Sequence, residues 1–277
     1  MSTYSYKYFN VTFPFENVAH VEINRADKLN AFHTEMWTEY GTVFSALSVD
    51  PNVRTIVLSG AGDRAFSAGL DIKGGADALT SSSDLDNART TWGFKRMIKS
   101  FQDAIGSVDT CEKPVIAAVH GIAFGLAIDI TSACDIRVCA ADVKFSVKEV
   151  DIGIAADIGT LTRLPKIVGN MSWVKDVAYS ARIFGAEEAL KQGFVSAVLE
   201  DKKKALEHAL KLAALIAGKS PVAVQGTKRL INYSVDHTVQ EGLDYTQIWN
   251  AAMIQCADPT EAIRATFSKE KPKFAKL

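Results

Sequence analysis

The chain has 277 residues, 48% hydrophobic and 23% charged, the balance of a globular protein long enough to bury a full core. A formal net charge of −1, with Lys202-Lys203-Lys204 the longest run of like charge, excludes the basic footprint that non-specific nucleic-acid binding needs. The four cysteines (Cys111, Cys134, Cys139 and Cys256) form no C-x-x-C pair, and the five histidines show no H-x-x-x-H spacing. Free thiols of a reducing compartment are therefore expected, with neither a disulfide framework nor a metal site.

Residues 1–10 are polar and aromatic, so neither a signal peptide nor a membrane span is expected there. Residues 18–24 (VAHVEIN) alternate as a half-buried strand does, and residues 53–60 (VRTIVLSG) read as a buried one. Between them, residues 34–47 carry Met36, Tyr40, Val43 and Leu47 at helical intervals, with Thr34 as the expected N-cap. Gly60-Ala61-Gly62-Asp63-Arg64-Ala65 spells a dinucleotide fingerprint, but residues 66–71 lack the helical periodicity that should follow. A turn is expected there, and Gly74-Gly75 with Ser81-Ser82-Ser83 reads as a surface loop.

Residues 114–121 (PVIAAVHG) form a third buried strand, and residues 136–147 hold two short ones. Strands alternating with helices predict a parallel α/β core. Beyond Asp201 the pattern turns helical, over residues 202–217, 221–233, 239–255 and 259–267. Pro221 and Pro259 suit first-turn positions behind Ser220 and Asp258 as caps. The expected division is a core over 1–200 and a helical region over 201–277.

Four spaced segments carry a family likeness. Asn24-Arg25-Ala26-Asp27-Lys28-Leu29-Asn30-Ala31 follows the first clear strand, and Arg64-Ala65-Phe66-Ser67-Ala68-Gly69-Leu70-Asp71-Ile72-Lys73 the second. Lys113-Pro114-Val115-Ile116-Ala117-Ala118-Val119-His120-Gly121 then leads into Phe124-Gly125-Leu126-Ala127-Ile128-Asp129. In order and separation these resemble the enoyl-CoA hydratase/isomerase (crotonase) superfamily over residues 18–273.

The resemblance implies an α/β fold, a spiral core of repeated ββα units with a C-terminal all-helical region, assembled as a homo-oligomer, a trimer or a dimer of trimers. It implies an acyl-CoA substrate and no separate cofactor, CoA being part of the substrate. The backbone N–H groups of Leu70, after Ala68-Gly69, and Leu126, after Gly125, match the pair that holds the thioester oxygen as it gains charge. A helix starting near Gly125 would add its positive end. Where the family usually has three glycines, this chain has Gly125-Leu126-Ala127, which bears on the shape of the acyl tunnel but leaves the N–H in place. Lys28, Ala68, Leu70, Asp71, Ile72, Lys73, Gly125 and Phe267 match positions near substrate and CoA, with Lys271-Pro272-Lys273-Phe274 in the segment that helps enclose CoA. The plainer alternatives are solvated surface lysines for Lys28 and Lys73, and core packing for Phe267.

The family's reactions differ in where acids surround the enolate. Hydratases use two glutamates, and the matching positions are Asp129, shortened by one methylene, and Glu149. A third acid, Asp157, lies among Ala155, Ala156 and Ile158, where burial without a purpose or partner is costly. Its plainer reading is the N-cap of a helix over 159–168, and that of Asp151 a solvent-side turn. Residues 148–170 resemble the dienoyl-CoA isomerase branch, in which acids matching Asp129, Glu149 and Asp157 line the acyl pocket. That likeness extends to Lys219-Ser220-Pro221-Val222-Ala223-Val224-Gln225 and Tyr233-Ser234-Val235-Asp236-His237.

The expected reaction is therefore conversion of 3,5-dienoyl-CoA to 2,4-dienoyl-CoA in fatty-acid β-oxidation, with Asp157 taking a proton from C2 and Glu149 delivering one at C6. The alternatives are 2-enoyl-CoA hydration or a 3-to-2 enoyl shift on the same fold and, from another class, a non-catalytic RNA- or protein-binding member. Ala275-Lys276-Leu277 is one residue from the peroxisomal address S-K-L, so a peroxisomal rather than mitochondrial setting, reached through an import receptor, is expected.

Overall fold

In the computed structural model, which describes residues 4–71 and 86–277, two sheets share the core. Strands β1 (Phe9–Phe15) and β2 (Val18–Ile23) pair antiparallel. Parallel to β2 run β3 (Thr55–Gly60), β5 (Val115–Val119), β7 (Ile136–Ala140) and β10 (Ala197–Leu199), in the sheet order β1-β2-β3-β5-β7-β10. The smaller sheet orders β4 (Ala65–Ser67), β6 (Ile122–Phe124), β8 (Lys144–Ser146) and β9 (Phe184–Gly185) side by side. Each of β3, β5 and β7 leaves the large sheet through a short turn and becomes a strand of the small one, and a helix then returns. This is the repeated ββα spiral that the family likeness implies.

Helices cover both faces of the large sheet. Every residue of β3 is buried, as a strand covered on both sides requires. On one face lie α1 (Thr34–Val49), α2 (Asn87–Thr110) and α3 (Leu126–Ala133), joined to a core of Ile56, Leu58, Val115, Phe44 and Ile105. On the other lies α7 (Lys202–Ala217), whose Ala209, Ala213 and Ala217 pack on Val18, Val57, Ile116 and Val138. Small side chains along that stripe let the helix approach the sheet closely. Between these come α4 (Thr160–Ile167), α5 (Met171–Ser180) and α6 (Ala186–Lys191).

The last three helices are α8 (Pro221–Ser234), α9 (Val239–Met253) and α10 (Asp258–Ser268). One buried lysine fastens them to the core: Lys228 Nζ donates to the carbonyls of Val108 and Lys113, each at 3.1 Å, and to Asp135 Oδ2 at 2.8 Å. The final residues lie back on the body, Arg54 donating to the carbonyls of Phe274 and Ala275 and Lys276 to Asn52 Oδ1. Ile231, Val239, Leu243 and Ile248 remain exposed on this region. Phe267 is 85% exposed, which overturns core packing within one chain as its explanation.

Two helix starts differ from expectation by one residue. His33, extended and without a side-chain bond, occupies the N-cap of α1, and Thr34 is already helical. Ala257 precedes α10, and Asp258 instead accepts the Ser220 hydroxyl at 2.5 Å, tying α10 to the cap of α8. Ser220 caps α8 as expected, accepting from the Ala223 N–H. The Gly60–Gly62 segment leads into β4 rather than a helix, so its glycines make a turn. Ile72, Lys73, Gly74-Gly75 and Ser81-Ser82-Ser83 lie outside the described residues. No helix among the described residues is long and apolar enough to cross a membrane.

Candidate active site

The site is assembled where the small sheet meets α3. After β4 the chain is pinned from below by Asn30, a fully buried residue in the left-handed region at φ 55. Its side-chain oxygen accepts the Arg25 N–H, and its amide nitrogen donates to the carbonyls of Ala61 and Ala65, each at 2.9 Å. The Ser67 hydroxyl donates to Asn30 O and accepts from Gly69 N–H, which commits it to structure rather than nucleophilic chemistry. Arg25 reaches over the same loop to Asp71 at 2.8 Å and to Ala31 O at 2.7 Å. Asp71 is thus a clamp on the segment that presents Leu70.

A bridge between Phe32 and Leu70 sets the direction of that segment: Phe32 N–H donates to Gly69 O, and Asp71 N–H to Phe32 O. The Leu70 N–H faces the other way, because successive backbone groups in a ladder alternate. Gly69, at φ 94, lies directly against the start of α3; a Cβ there would stand 3.5 Å from Leu126 N. Neither the Leu70 nor the Leu126 N–H has an acceptor among the described residues. Two free donors brought together at a helix N-terminus can hold a developing oxyanion.

Gly125 makes the helix start possible. Its φ of 53 is in the left-handed region, and a Cβ would stand 3.4 Å from Glu149 Oε1. The side chains of Leu126 and Ala127, which replace glycines of the family pattern, are absorbed by the main core.

The three acids differ in depth. Asp129, on α3, is 1% exposed, and burial together with the nearby Glu149 charge pushes its carboxyl up to about 7. It is held by Thr160, whose N–H and hydroxyl donate to Oδ1 at 2.6 and 2.8 Å. Glu149 opens a short 3-10 turn over Glu149–Ile152, in which Asp151 pairs with Lys148 on the solvent side. Glu149 is half-buried, and its Oε2 is buried with no hydrogen-bond partner. Burial raises its carboxyl, and the Asp157 charge raises it further.

Asp157 is the exposed member, its carboxyl raised by the partial burial of its surroundings. It does not cap α4: Gly159 occupies the N-cap, and Asp129 takes the first N–H of that helix. Gln102 of α2 fixes the Asp157 loop by donating to the Asp157 carbonyl at 2.6 Å, beside a cleft of about 310 Å³.

Of the other expected residues, Ala68 and Leu70 are half-buried, Lys28 is exposed, and Phe267 stands out on α10. Sequence reading missed Asn30, Arg25 and Thr160 as supports, although all three lie in segments that the family likeness singled out. A cavity of about 820 Å³ lies away from the acids between the core and α8. Its charged walls are already paired, Arg163 with Asp109 and Lys228 with Asp135, so it presents no convergent chemistry. No cluster of His, Cys, Asp or Glu among the described residues could hold a metal ion.

Comparison with known proteins identifies the family. The enoyl-CoA hydratase/isomerase family pattern matches residues 15–276. The mouse protein named mitochondrial Delta(3,5)-Delta(2,4)-dienoyl-CoA isomerase is 44% identical over 100% of this chain and 85% of its own length. The Arabidopsis thaliana peroxisomal protein of the same name is 44% identical over 94% of each chain. An enoyl-CoA hydratase from Bacillus anthracis superposes with a TM-score of 0.87 at 25% identity, covering 97% of this chain and 99% of its own. With the spiral fold, two free backbone donors beside buried carboxylates and likeness along its whole length, the chain belongs to the enoyl-CoA hydratase/isomerase family.

Proposed function

We propose that this chain isomerises 3,5-dienoyl-CoA to 2,4-dienoyl-CoA in fatty-acid β-oxidation. The observation that carries the reading is the third carboxylate: Asp157 stands exposed, while Glu149 is more buried and keeps Oε2 without a hydrogen-bond partner. A long-range double-bond shift needs one acid at each end of the conjugated system, whereas hydration needs both at one double bond. The full-length likeness to the mouse and Arabidopsis dienoyl-CoA isomerases supports the same choice.

The thioester oxygen would accept from the Leu70 and Leu126 N–H groups. Asp157 takes a proton from C2, and the electrons spread through the diene onto that oxygen. Glu149 then gives its proton to C6, leaving double bonds at C2 and C4. Burial disfavours charge, so the exposed Asp157 suits the ionised base and the more buried Glu149 the protonated acid. Each backbone donor is worth about 3–4 kcal/mol to the enolate. No cofactor is needed, because CoA enters as part of the substrate; Lys28, Ala68, Asp71, Gly125 and Phe267 are its proposed neighbours.

The apolar side chains left exposed on the C-terminal helices support a homo-oligomer, a trimer or a dimer of trimers. The likeness of Ala275-Lys276-Leu277 to S-K-L, with the peroxisomal Arabidopsis relative, supports a peroxisomal setting; deleting the three residues should leave the protein in the cytosol. Incubation with 3,5-dienoyl-CoA tests the activity: the conjugated 2,4-dienoyl absorbance should appear with wild type and be lost with Asp157→Asn. An Asp157→Asn enzyme at full rate would remove Asp157 as the base.

A further inference from the structure

Asp129 is the deepest acid of the site, and its surroundings decide where the site's retained proton rests. Thr160 of α4 donates both its N–H and its hydroxyl to Asp129 Oδ1. An N–H can only donate, so Oδ1 is an acceptor and any proton on Asp129 must sit on Oδ2. Glu149 meets Asp129 as a like charge, and Glu149 Oε2 is buried without a partner. From α4, Arg163 adds a positive charge that it shares with Asp109 of α2 at 3.3 Å. The strands β4 and β6, also packed against α3, bring no titratable side chain.

Two acids in one buried site do not both ionise cheaply, so one proton stays between them. Burial alone would leave it on Asp129, which is the deeper of the two, where it could not serve the substrate. We propose that Thr160 is a positioning residue for the isomerisation: its two donations to Asp129 Oδ1 keep Asp129 the ionised partner and leave the proton on Glu149, the acid that must deliver it. The first N–H of α4 adds the positive end of the helix to the same oxygen. The inference rests on the dienoyl-CoA reading and gives Asp129 a task distinct from that of either acid touching substrate.

Thr160→Val keeps the branched shape and the N–H but removes the hydroxyl. Losing a hydrogen bond to a charged group should lower kcat roughly ten- to a hundredfold, with KM changed by no more than about twofold. The alkaline limb of the kcat–pH profile should move upward by about one unit, because the doubly ionised pair loses support. Thr160→Ser should restore both. In an Asp129→Asn background, Thr160→Val should have no further effect.

A Thr160→Val profile superimposed on wild type overturns the proposal. So does Thr160→Ser as impaired as Thr160→Val, or an additive loss in the Asp129→Asn background. Thermal melts establish folding, and if valine is refused, Thr160→Ala removes the same hydroxyl with less bulk. A wild-type chain inert towards 3,5-dienoyl-CoA overturns the functional reading, and the role of Thr160 with it. An active wild type with an unshifted variant overturns the role of Thr160 alone.

Discussion

Gly69→Ala tests whether the Leu70 and Leu126 donors work as a pair. At φ 94 an added Cβ would stand 2.7 Å from the Phe124 carbonyl oxygen and 3.5 Å from Leu126 N. Both obstacles are backbone, so no side chain can swing aside. To reach 3.4 Å, the near edge of ordinary contact, the Gly69 segment must move about 0.7 Å away from the start of α3. A displacement near 1 Å at a catalytic group can cost about a hundredfold in rate, so kcat should fall roughly ten- to a hundredfold. Left-handed strain adds about 1–2 kcal/mol of instability, and the overpacking about 1–3 kcal/mol more.

Gly193→Ala is the control. Its φ of 79 brings the same strain, but nothing lies within 4 Å of the added Cβ, so it should lose stability with kcat unchanged. Dienoyl-CoA turnover and thermal unfolding of both variants separate the two effects. A Gly69→Ala enzyme with kcat within about twofold of wild type would refute the paired-donor geometry.

Further outcomes follow from the acids and the helical latch. Asp157→Asn and Glu149→Gln should each lower kcat on 3,5-dienoyl-CoA at least about a hundredfold, the usual scale for an acid–base group; retained melting temperatures would show that the loss is chemical. Lys228→Ala should destabilise the chain by about 3–5 kcal/mol, since it leaves Asp135 without its cation partner. Urea denaturation reads this, and a cost below about 1 kcal/mol would mean that water replaces the lysine. The buried Asp129–Glu149 pair keeps one proton in the folded chain over a range where the unfolded chain has released it. Its stabilising contribution is therefore complete below the ordinary carboxyl range and is lost as pH rises through the raised one. Asp129→Asn should flatten that decline in denaturation midpoints, and an unchanged slope would contradict the shared proton.

Four strands of the large sheet (β2, β3, β5 and β7) and the helices α1, α4 and α7 to α10 were legible because their patterns are local, whereas β1, β10, α2, α5 and α6 went unread. β2, β3 and β5 carry the expected apolar runs, and α1 buries Met36, Tyr40, Val43 and Leu47 at the predicted spacing. The small sheet was harder to read as a whole: β4, β6 and β8 have three residues each, too few to show a period. Helix starts slipped by one residue at Thr34 and Asp258, because His33 and Ala257 take the N-cap positions without any side-chain bond, so packing overrides the cap preference. The burial expected of Asp157 from its apolar neighbours is overturned, since the loop turns its side chain to the surface. Glu149 and Asp157 stood out through family likeness. Thr160 did not: nothing in the spacing between Asp129 and Thr160 says that a helix start will be laid across an acid from another helix. Asn30 and Lys228 were hidden for the same reason, since their partners are remote in sequence.

The central claim is a proton taken from C2 and one returned at C6 of the same acyl chain. It is tested most directly by converting 3,5-dienoyl-CoA in deuterated water and locating the label in the product. The account predicts 2,4-dienoyl-CoA with deuterium entering at C6, abolished in Glu149→Gln, and with no water added across a double bond. A hydrated product, or label entering at C4 instead of C6, would contradict it.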